Sequence, residues 1–328
     1  MHAFSPTALG AGARPIVRTS FLGAIGGLLA AACAGGDSTE VENPAVRGKY
    51  IVDHVAACPD CHTPRDSMGA PIGGQYMAGA ECFAQLPSGS CLNTRNLTHH
   101  ETGLLNRTDA EIERMIRDGV RPAATGDEPL FPAMPYYSFH NMSDLDLAAV
   151  VAYLRSIPGV DRAIPRSGPE FEVPAPANPI PVELIPLPSP DYADEAAALR
   201  GRYLAAEAGV CLECHTRHIM GDPNVLDYAR LFVGGEQFAI GLPVVPVSKN
   251  LTSDPETGLG DWSVEDIAKV ISEGTDKDGD GVCPPMPVGP MGAFGGLKSN
   301  DVLDIAHYIK SLPAQVNAVD DVCTWPPM

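Results

Sequence analysis

Two short stretches of the chain carry the same reactive set. Cys58-Pro-Asp-Cys61-His62 and Cys211-Leu-Glu-Cys214-His215 each place two thiols three positions apart, with a histidine directly after the second. On one helical turn, thiols at that spacing reach the two vinyl groups of a single haem, and the following imidazole points at the iron. Rival chemistries for a Cys-x-x-Cys are a thioredoxin-like redox pair, which needs a βαβ setting, and a zinc site, which needs four ligands gathered at each metal. The expected cofactors are therefore two covalently bound haem c groups, one on Cys58 and Cys61 and one on Cys211 and Cys214, with His62 and His215 as proximal iron ligands. Each proximal ring needs an acceptor for its second nitrogen, and the turns at Ala70-Pro71 and Asp222-Pro223 are expected to provide the carbonyls.

The surroundings of these stretches repeat as well, which sets the organisation of the chain. Arg47-Gly-Lys-Tyr50 recurs as Arg200-Gly-Arg-Tyr203, Asn96-Leu-Thr98 as Asn250-Leu-Thr252, and Glu101-Thr-Gly-Leu104 as Glu256-Thr-Gly-Leu259. Ala152-Tyr-Leu-Arg-Ser-Ile-Pro158 recurs as His307-Tyr-Ile-Lys-Ser-Leu-Pro313. Between the copies, Pro165 to Pro190 is dense in proline, a composition that prefers extended geometry and acts as a semi-rigid spacer. Each copy reads as mostly helical. Asn43-Pro44 caps a helix expected to run to the first cysteine pair. Thr108-Asp-Ala-Glu111 and Ser263-Val-Glu-Asp266 open amphipathic runs through Ile112, Met115, Ile116 and through Ile267, Val270, Ile271. Ser143 and Ser299 are expected to cap closing helices whose apolar faces, including Leu147, Val150, Val151, Leu154 and Val302, Ile305, Ile309, should form the cores. Proline-rich loops, Leu130-Phe-Pro-Ala-Met134-Pro135 and Val282-Cys-Pro-Pro-Met286-Pro287, lie between those helices.

Composition bounds the function. The net charge of −19 argues against nucleic acid or anionic lipid surfaces as partners, since both reward clustered positive charge. Nine cysteines fit an exported, oxidising location better than a reducing cytosol. At the N-terminus, Arg14 and Arg18 precede an apolar stretch from Phe21 to Ala32 that is too short to span a bilayer and reads as a signal peptide. Ala30-Ala31-Ala32 before Cys33 resembles a lipoprotein processing box, so Cys33 is the expected lipidation site, ordinary cleavage near Ala32 being the alternative. The expected location is the periplasmic side of a bacterial envelope, with membrane contact only through that anchor.

With these motifs the chain resembles the class I c-type cytochromes across residues 45–315. More closely, each copy is similar to the haem modules in cytochrome subunits of bacterial membrane-bound alcohol, aldehyde and sugar dehydrogenases. Asn-Leu-Thr, Glu-Thr-Gly-Leu, Gly260-Asp-Trp262-Ser263, Pro132-Ala-Met134-Pro135 and the closing Tyr-Leu-Arg-Ser-Ile-Pro carry that likeness. The resemblance implies a mainly α fold of two tandem cytochrome c-type haem domains joined by the proline-rich linker. It also implies a methionine from a late loop as distal ligand: Met134 in the first copy, and Met286 in the second with Met291 as its alternative. The implied partners are redox proteins, a membrane-bound dehydrogenase or a terminal oxidase. Once four cysteines are given to haem and one to lipid, Cys82, Cys91, Cys283 and Cys323 remain. Of three pairings, Cys82–Cys91 and Cys283–Cys323 are favoured because each stays within one module.

The expected domain layout is a signal peptide at 1–32, a tether at 33–44, haem domains at 45–160 and 191–315, the linker at 161–190 and a tail at 316–328. The expected function is single-electron transfer by a non-enzymatic dihaem cytochrome. The alternatives are a dihaem peroxidase or thiosulfate-oxidising enzyme, or a haem-based sensor, each of which needs an open or exchangeable iron position. Asp276-Lys-Asp278-Gly-Asp280 imitates half of a calcium loop, but Pro287 stands where a bidentate Glu is required, so a solvated acidic turn is expected.

Overall fold

A computed structural model of the chain describes residues 43–124, 126–219, 222–238 and 245–320. The apolar N-terminal stretch, Cys33 and Cys323 lie outside the described residues. Asn43 Oδ1 accepts the Ala45 amide at 3.0 Å, and Pro44 opens α1 (Pro44–Tyr50). The expected continuous helix does not reach the cysteines. It widens into a π-helical turn at Ile51–Val55 and breaks at Ala57, whose φ of 50° is left-handed, before α2 (Cys58–His62) starts afresh. Pro59 explains the break, because a helix running through it would lose a hydrogen bond and meet the ring.

Next come α3 (Asp109–Asp118), α4 (Tyr136–Phe139) and α5 (Asp144–Ser156). The second copy contributes α6 (Glu195–Ala206), α7 (Cys211–Cys214), α8 (Val264–Glu273) and α9 (Ser299–Ser311). Both capping boxes form, Thr108 with Glu111 and Ser263 with Asp266, and Ser143 accepts the Asp146 amide at 3.2 Å. Ser299 does not cap α9. It is the first helical residue, and the amide of Lys298, at the cap position, donates to Tyr50 Oη at 3.1 Å. The helix thus starts without a side-chain cap, and a contact from the other copy holds the residue before it.

Sheet is confined, among the described residues, to three antiparallel ribbons: β1 (Ala84–Gln85) with β2 (Cys91–Leu92), β3 (Val120–Ala123) with β4 (Gly126–Pro129), and β5 (His218–Ile219) with β6 (Asp222–Leu226). A Cys82–Cys91 disulfide ties the first ribbon. No helix among the described residues is long and apolar enough to cross a membrane.

The repeated Arg-Gly-[Lys/Arg]-Tyr motif acquires its meaning from packing. α1 crosses α5, and α6 crosses α9. At each crossing the glycine lets backbones touch: a Cβ on Gly48 would sit 1.8 Å from Ala149 O, and one on Gly201 1.8 Å from Asp304 O. Each arginine then grips the closing helix with a two-pronged ion pair, Arg47 on Asp146 at 2.9 and 2.8 Å, Arg200 on Asp304 at 2.7 and 2.8 Å. Each tyrosine reaches over to the other copy. Tyr50 Oη donates to Asp301 at 2.5 Å, and Tyr203 Oη donates to Asp146 at 2.6 Å.

The proline-rich segment is anchored along its length rather than free. Ile180 and Ile185 are buried, the Ile180 amide donates to Tyr137 O, and the Ala177 amide to Tyr136 Oη. On the other side, Tyr308 Oη donates to Pro186 O and Arg202 to Val182 O. The segment therefore contacts both copies.

Candidate haem-binding sites

α2 and α7 hold the cysteines at half-buried positions, with Cys58 and Cys211 packed against the hydrophobic core. Burial pushes the Cys58 and Cys211 thiols up to about 12 and the Cys61 thiol to about 11. Burial also raises Cys214. Reactive dithiols are shifted the opposite way. Among the described residues no group of three or more His, Cys, Asp or Glu is placed to hold a metal ion.

The histidines are fixed by an acceptor that the sequence reading misplaced. His62 Nδ1 meets Arg95 O at 2.8 Å, and His215 Nδ1 meets Lys249 O at 2.8 Å. The turns at Ala70-Pro71 and Asp222-Pro223 do not serve. Arg95 and Lys249 each stand immediately before an Asn-Leu-Thr, so that repeated motif was the signal to read. Its mechanics are the same in both copies. Asn96 Oδ1 accepts the Thr98 amide and hydroxyl at 2.9 and 2.7 Å, and its Nδ2 donates to Val160 O at 2.9 Å. Asn250 Oδ1 accepts from Thr252 at 3.0 and 2.8 Å, and its Nδ2 donates to Gln315 O at 2.7 Å. The asparagine thereby stitches the carbonyl-bearing loop to the chain leaving the closing helix. The glycine of Glu-Thr-Gly-Leu fits beneath it: a Cβ on Gly103 would come within 2.4 Å of Thr98 O, and one on Gly258 within 2.3 Å of Thr252 O.

With Nδ1 committed to a carbonyl, burial lowers the affinity of both rings for a second proton, and Nε2 of each has no hydrogen-bond partner among the described residues. A neutral imidazole with one oriented free nitrogen suits a metal. Replacing Asn250 with leucine should cost about 3 kcal/mol, since it strands the buried Thr252 amide and leaves Gln315 O with the Thr252 hydroxyl alone. Equilibrium unfolding reads this, and a loss below about 1 kcal/mol would mean the loop is held by other contacts.

The methionine loops are also duplicated. Gly119 (φ 64°) ends α3 and its carbonyl accepts the Leu130 amide at 2.7 Å, while Gly274 (φ 71°) ends α8 and accepts the Val282 amide at 2.9 Å. Four residues on from Leu130 and Val282 stand Met134 and Met286, and each repeats one turn. Met134 N donates to Phe131 O and Met134 O accepts from Tyr136 N; Met286 N donates to Cys283 O and Met286 O accepts from Val288 N. Both side chains are half-buried against the core, whereas Met291 is 90% exposed. In the acidic turn, Asp276 Oδ1 is occupied by the Asp278 and Asp280 amides.

Five other histidines have protein partners: His54 meets Ala293 O, His140 meets Arg117 O, His100 pairs with Thr102, His218 lies beside Glu236, and His307 meets Tyr192 Oη.

Paired cysteines on a helical turn, a carbonyl-oriented histidine and a second soft ligand on a separate loop are the donor set of a c-type cytochrome. The chain is homologous to cytochrome c subunits of bacterial dehydrogenases. It is 29% identical to the fructose dehydrogenase cytochrome subunit of Gluconobacter japonicus over 85% of this chain and 54% of that one. It is 30% identical to the cytochrome c subunit of the alcohol dehydrogenase (quinone) of Gluconacetobacter polyoxogenes, over 81% of this chain and 55% of that one. A diheme c-type cytochrome of Cereibacter sphaeroides is 25% identical over 82% of this chain and 86% of its own length. The chain thus spans about half the length of the two dehydrogenase subunits. No protein-family model matches it. By name, these relatives are cytochrome subunits of dehydrogenases and a diheme c-type cytochrome.

Proposed function

We propose that the chain is a dihaem c-type cytochrome that passes single electrons between redox proteins on the periplasmic side of a bacterial envelope. The observation that carries this reading is the duplication of the whole donor set. Each copy offers a Cys-x-x-Cys helical turn, a histidine whose Nδ1 is taken by a backbone carbonyl, and a half-buried methionine in a turn with the same backbone hydrogen bonds.

One haem is held by Cys58, Cys61, His62 and Met134, and the other by Cys211, Cys214, His215 and Met286. The exposure of Met291 favours Met286. A bound haem supplies a one-electron iron couple at each site. The protein's own part would be to hold the imidazole and thioether ligands in place. It orients the imidazole through Arg95 O and Lys249 O and brings the thioether sulfur from a loop stiffened by prolines on either side. With a histidine and a methionine both bound, an iron would have no position for a substrate, so the chain would relay electrons and a partner would do the chemistry. The names of the relatives suggest a dehydrogenase as that partner, and a lipid on Cys33 would hold the two near one membrane. The modules are 45–160 and 191–315.

Intact mass of the protein matured in a haem-attaching host should show two haem additions that survive acid acetone. One addition or none would overturn this reading. Cys58→Ser or Cys211→Ser should leave a single thioether at the affected site.

A further inference from the structure

The two copies part company on the surface beside the second attachment turn. Matching hydrogen bonds fix which residues correspond there. The amides of Met77 and Phe232 donate to Thr63 Oγ1 and Thr216 Oγ1, each at 3.1 Å. The amides of Arg162 and Asn317 donate to Thr102 Oγ1 and Thr257 Oγ1 at 3.0 and 2.9 Å. Gln75 therefore corresponds to Arg230, and Glu81 to Glu236. In the first copy this set closes on itself: Arg162 donates to Gln75 Oε1 at 2.5 Å and pairs with Glu81 at 3.5 Å. In the second it stays open. Asparagine replaces that arginine, Arg230 replaces the glutamine, and Arg217 stands where the first copy has Pro64. Glu236 is engaged elsewhere, accepting the His218 amide at 2.9 Å and lying 3.4 Å from the His218 ring.

An open cavity of about 560 Å³ lies here, lined by Arg217, Gly235, Asn317, Val245 and Val247 among others. A smaller one of about 340 Å³ shares Arg217, Gly235 and Asn317 and extends to Arg230. Gly235, with a φ of 95°, forms the floor, since a Cβ there would lie 3.5 Å from Asn317 Nδ2 and 3.9 Å from Arg217 Cδ. Among the described residues neither guanidinium has a carboxylate within ion-pair distance. Arg230 spends one donor, on Val316 O at 3.2 Å, and Arg217 spends none. Asn317 Nδ2 donates to Val233 O at 2.8 Å and keeps a second hydrogen. Two acids reach the rim: Asp320, and Asp227, whose Oδ1 accepts the Ala229 amide at 3.2 Å. We infer that this cavity binds a small organic carboxylate, with Arg217 and Arg230 holding the carboxylate and Val245 and Val247 covering a short apolar body. The planar fork of guanidinium donors matches a carboxylate, and a cavity of several hundred Å³ is of small-molecule size. In a chain of net charge −19, two arginines left unpaired around one cavity call for an anion from outside. The site uses none of the proposed haem ligands and does not rest on the dihaem reading.

Isothermal titration of the mature, haem-loaded protein with hexanoate tests this. Hexanoate should bind saturably, and hexanamide, equally long but uncharged, should not. Arg217→Gln combined with Arg230→Gln should weaken hexanoate by at least about tenfold, because a charge-assisted hydrogen bond is lost at each position. Arg114→Gln is the control. It removes an exposed arginine of the first copy that pairs with Asp127, and it should leave the affinity unchanged. Inorganic phosphate separates the two kinds of oxyanion, and binding as tight as that of hexanoate would overturn the organic carboxylate. No saturable binding of hexanoate, or an affinity undiminished in the double variant, would overturn the inference. Should the double variant fail to fold, Arg217→Gln alone decides, since that side chain makes no hydrogen bond to the described protein. A single haem by mass with hexanoate still bound would overturn the dihaem reading and support this one.

Discussion

Met134→Ala and Met286→Ala should each remove about half of the far-red band that marks methionine on ferric iron, and each should lower one of two reduction potentials. Met291→Ala should change neither. The expectation comes from two independent features of the loops. First, Leu130 and Val282 are pinned to the carbonyls of Gly119 and Gly274, and the methionine follows four residues later in both copies with the same turn around it. Second, Met134 and Met286 pack on the core, while Met291 stands 90% exposed in a glycine-flanked stretch. Losing a thioether removes the ligand that favours reduced iron, which gives the sign of the potential change. Redox titration followed in the far red measures both quantities. If Met291→Ala abolishes the band of the second haem and Met286→Ala does not, the assignment of that loop is wrong, although electron transfer would survive. Ready binding of carbon monoxide by the unmutated protein would not be survivable, because it requires an open iron.

Gly48→Ala and Gly201→Ala should be the most damaging single-methyl changes in the fold. Each puts a Cβ 1.8 Å from a backbone carbonyl on the facing helix, where no flexible side-chain end can give way. The helices must separate, and the arginine–aspartate pair beside each glycine loses its geometry as they do. Overpacking of this kind typically costs 1–3 kcal/mol and sometimes more, and about 3 kcal/mol is expected for each variant. The midpoint of denaturant unfolding should fall at constant slope. Gly73→Ala is the reference change, with nothing within 4 Å of its added carbon, and it should stay within about 0.5 kcal/mol. If Gly201→Ala unfolds where Gly73→Ala does, the α6–α9 crossing is looser than described.

Reading residues in order recovers whatever depends on near neighbours. Cys58-x-x-Cys61-His62 and its copy announce their chemistry because both thiols and the imidazole must come from one turn of helix. Thr108–Glu111 and Ser263–Asp266 announce helix starts because a capping box closes over three residues. The duplication of Asn-Leu-Thr and Arg-Gly-x-Tyr was equally plain, but its reason was not. Arg95 and Lys249 reach His62 and His215 from 33 and 34 residues away, and nothing local marks a carbonyl as the one that will face a ring. Proline turns nearer the histidines were the wrong expectation for that reason. Ser299 is not a cap because it already lies inside the helix; Lys298 holds the cap position, and its amide reaches Tyr50 of the other copy, 248 residues earlier. The proline-rich stretch reads as a spacer from composition alone, yet Ile180 and Ile185 bury themselves along it. Ligand types, helix starts and the repeat are set by residues adjacent in the chain, where covalent geometry does the arranging. The acceptor of each proximal ring, the crossed tyrosine clamps and the packing of Met286 against an exposed Met291 depend on surfaces that meet only after folding, so packing decides them.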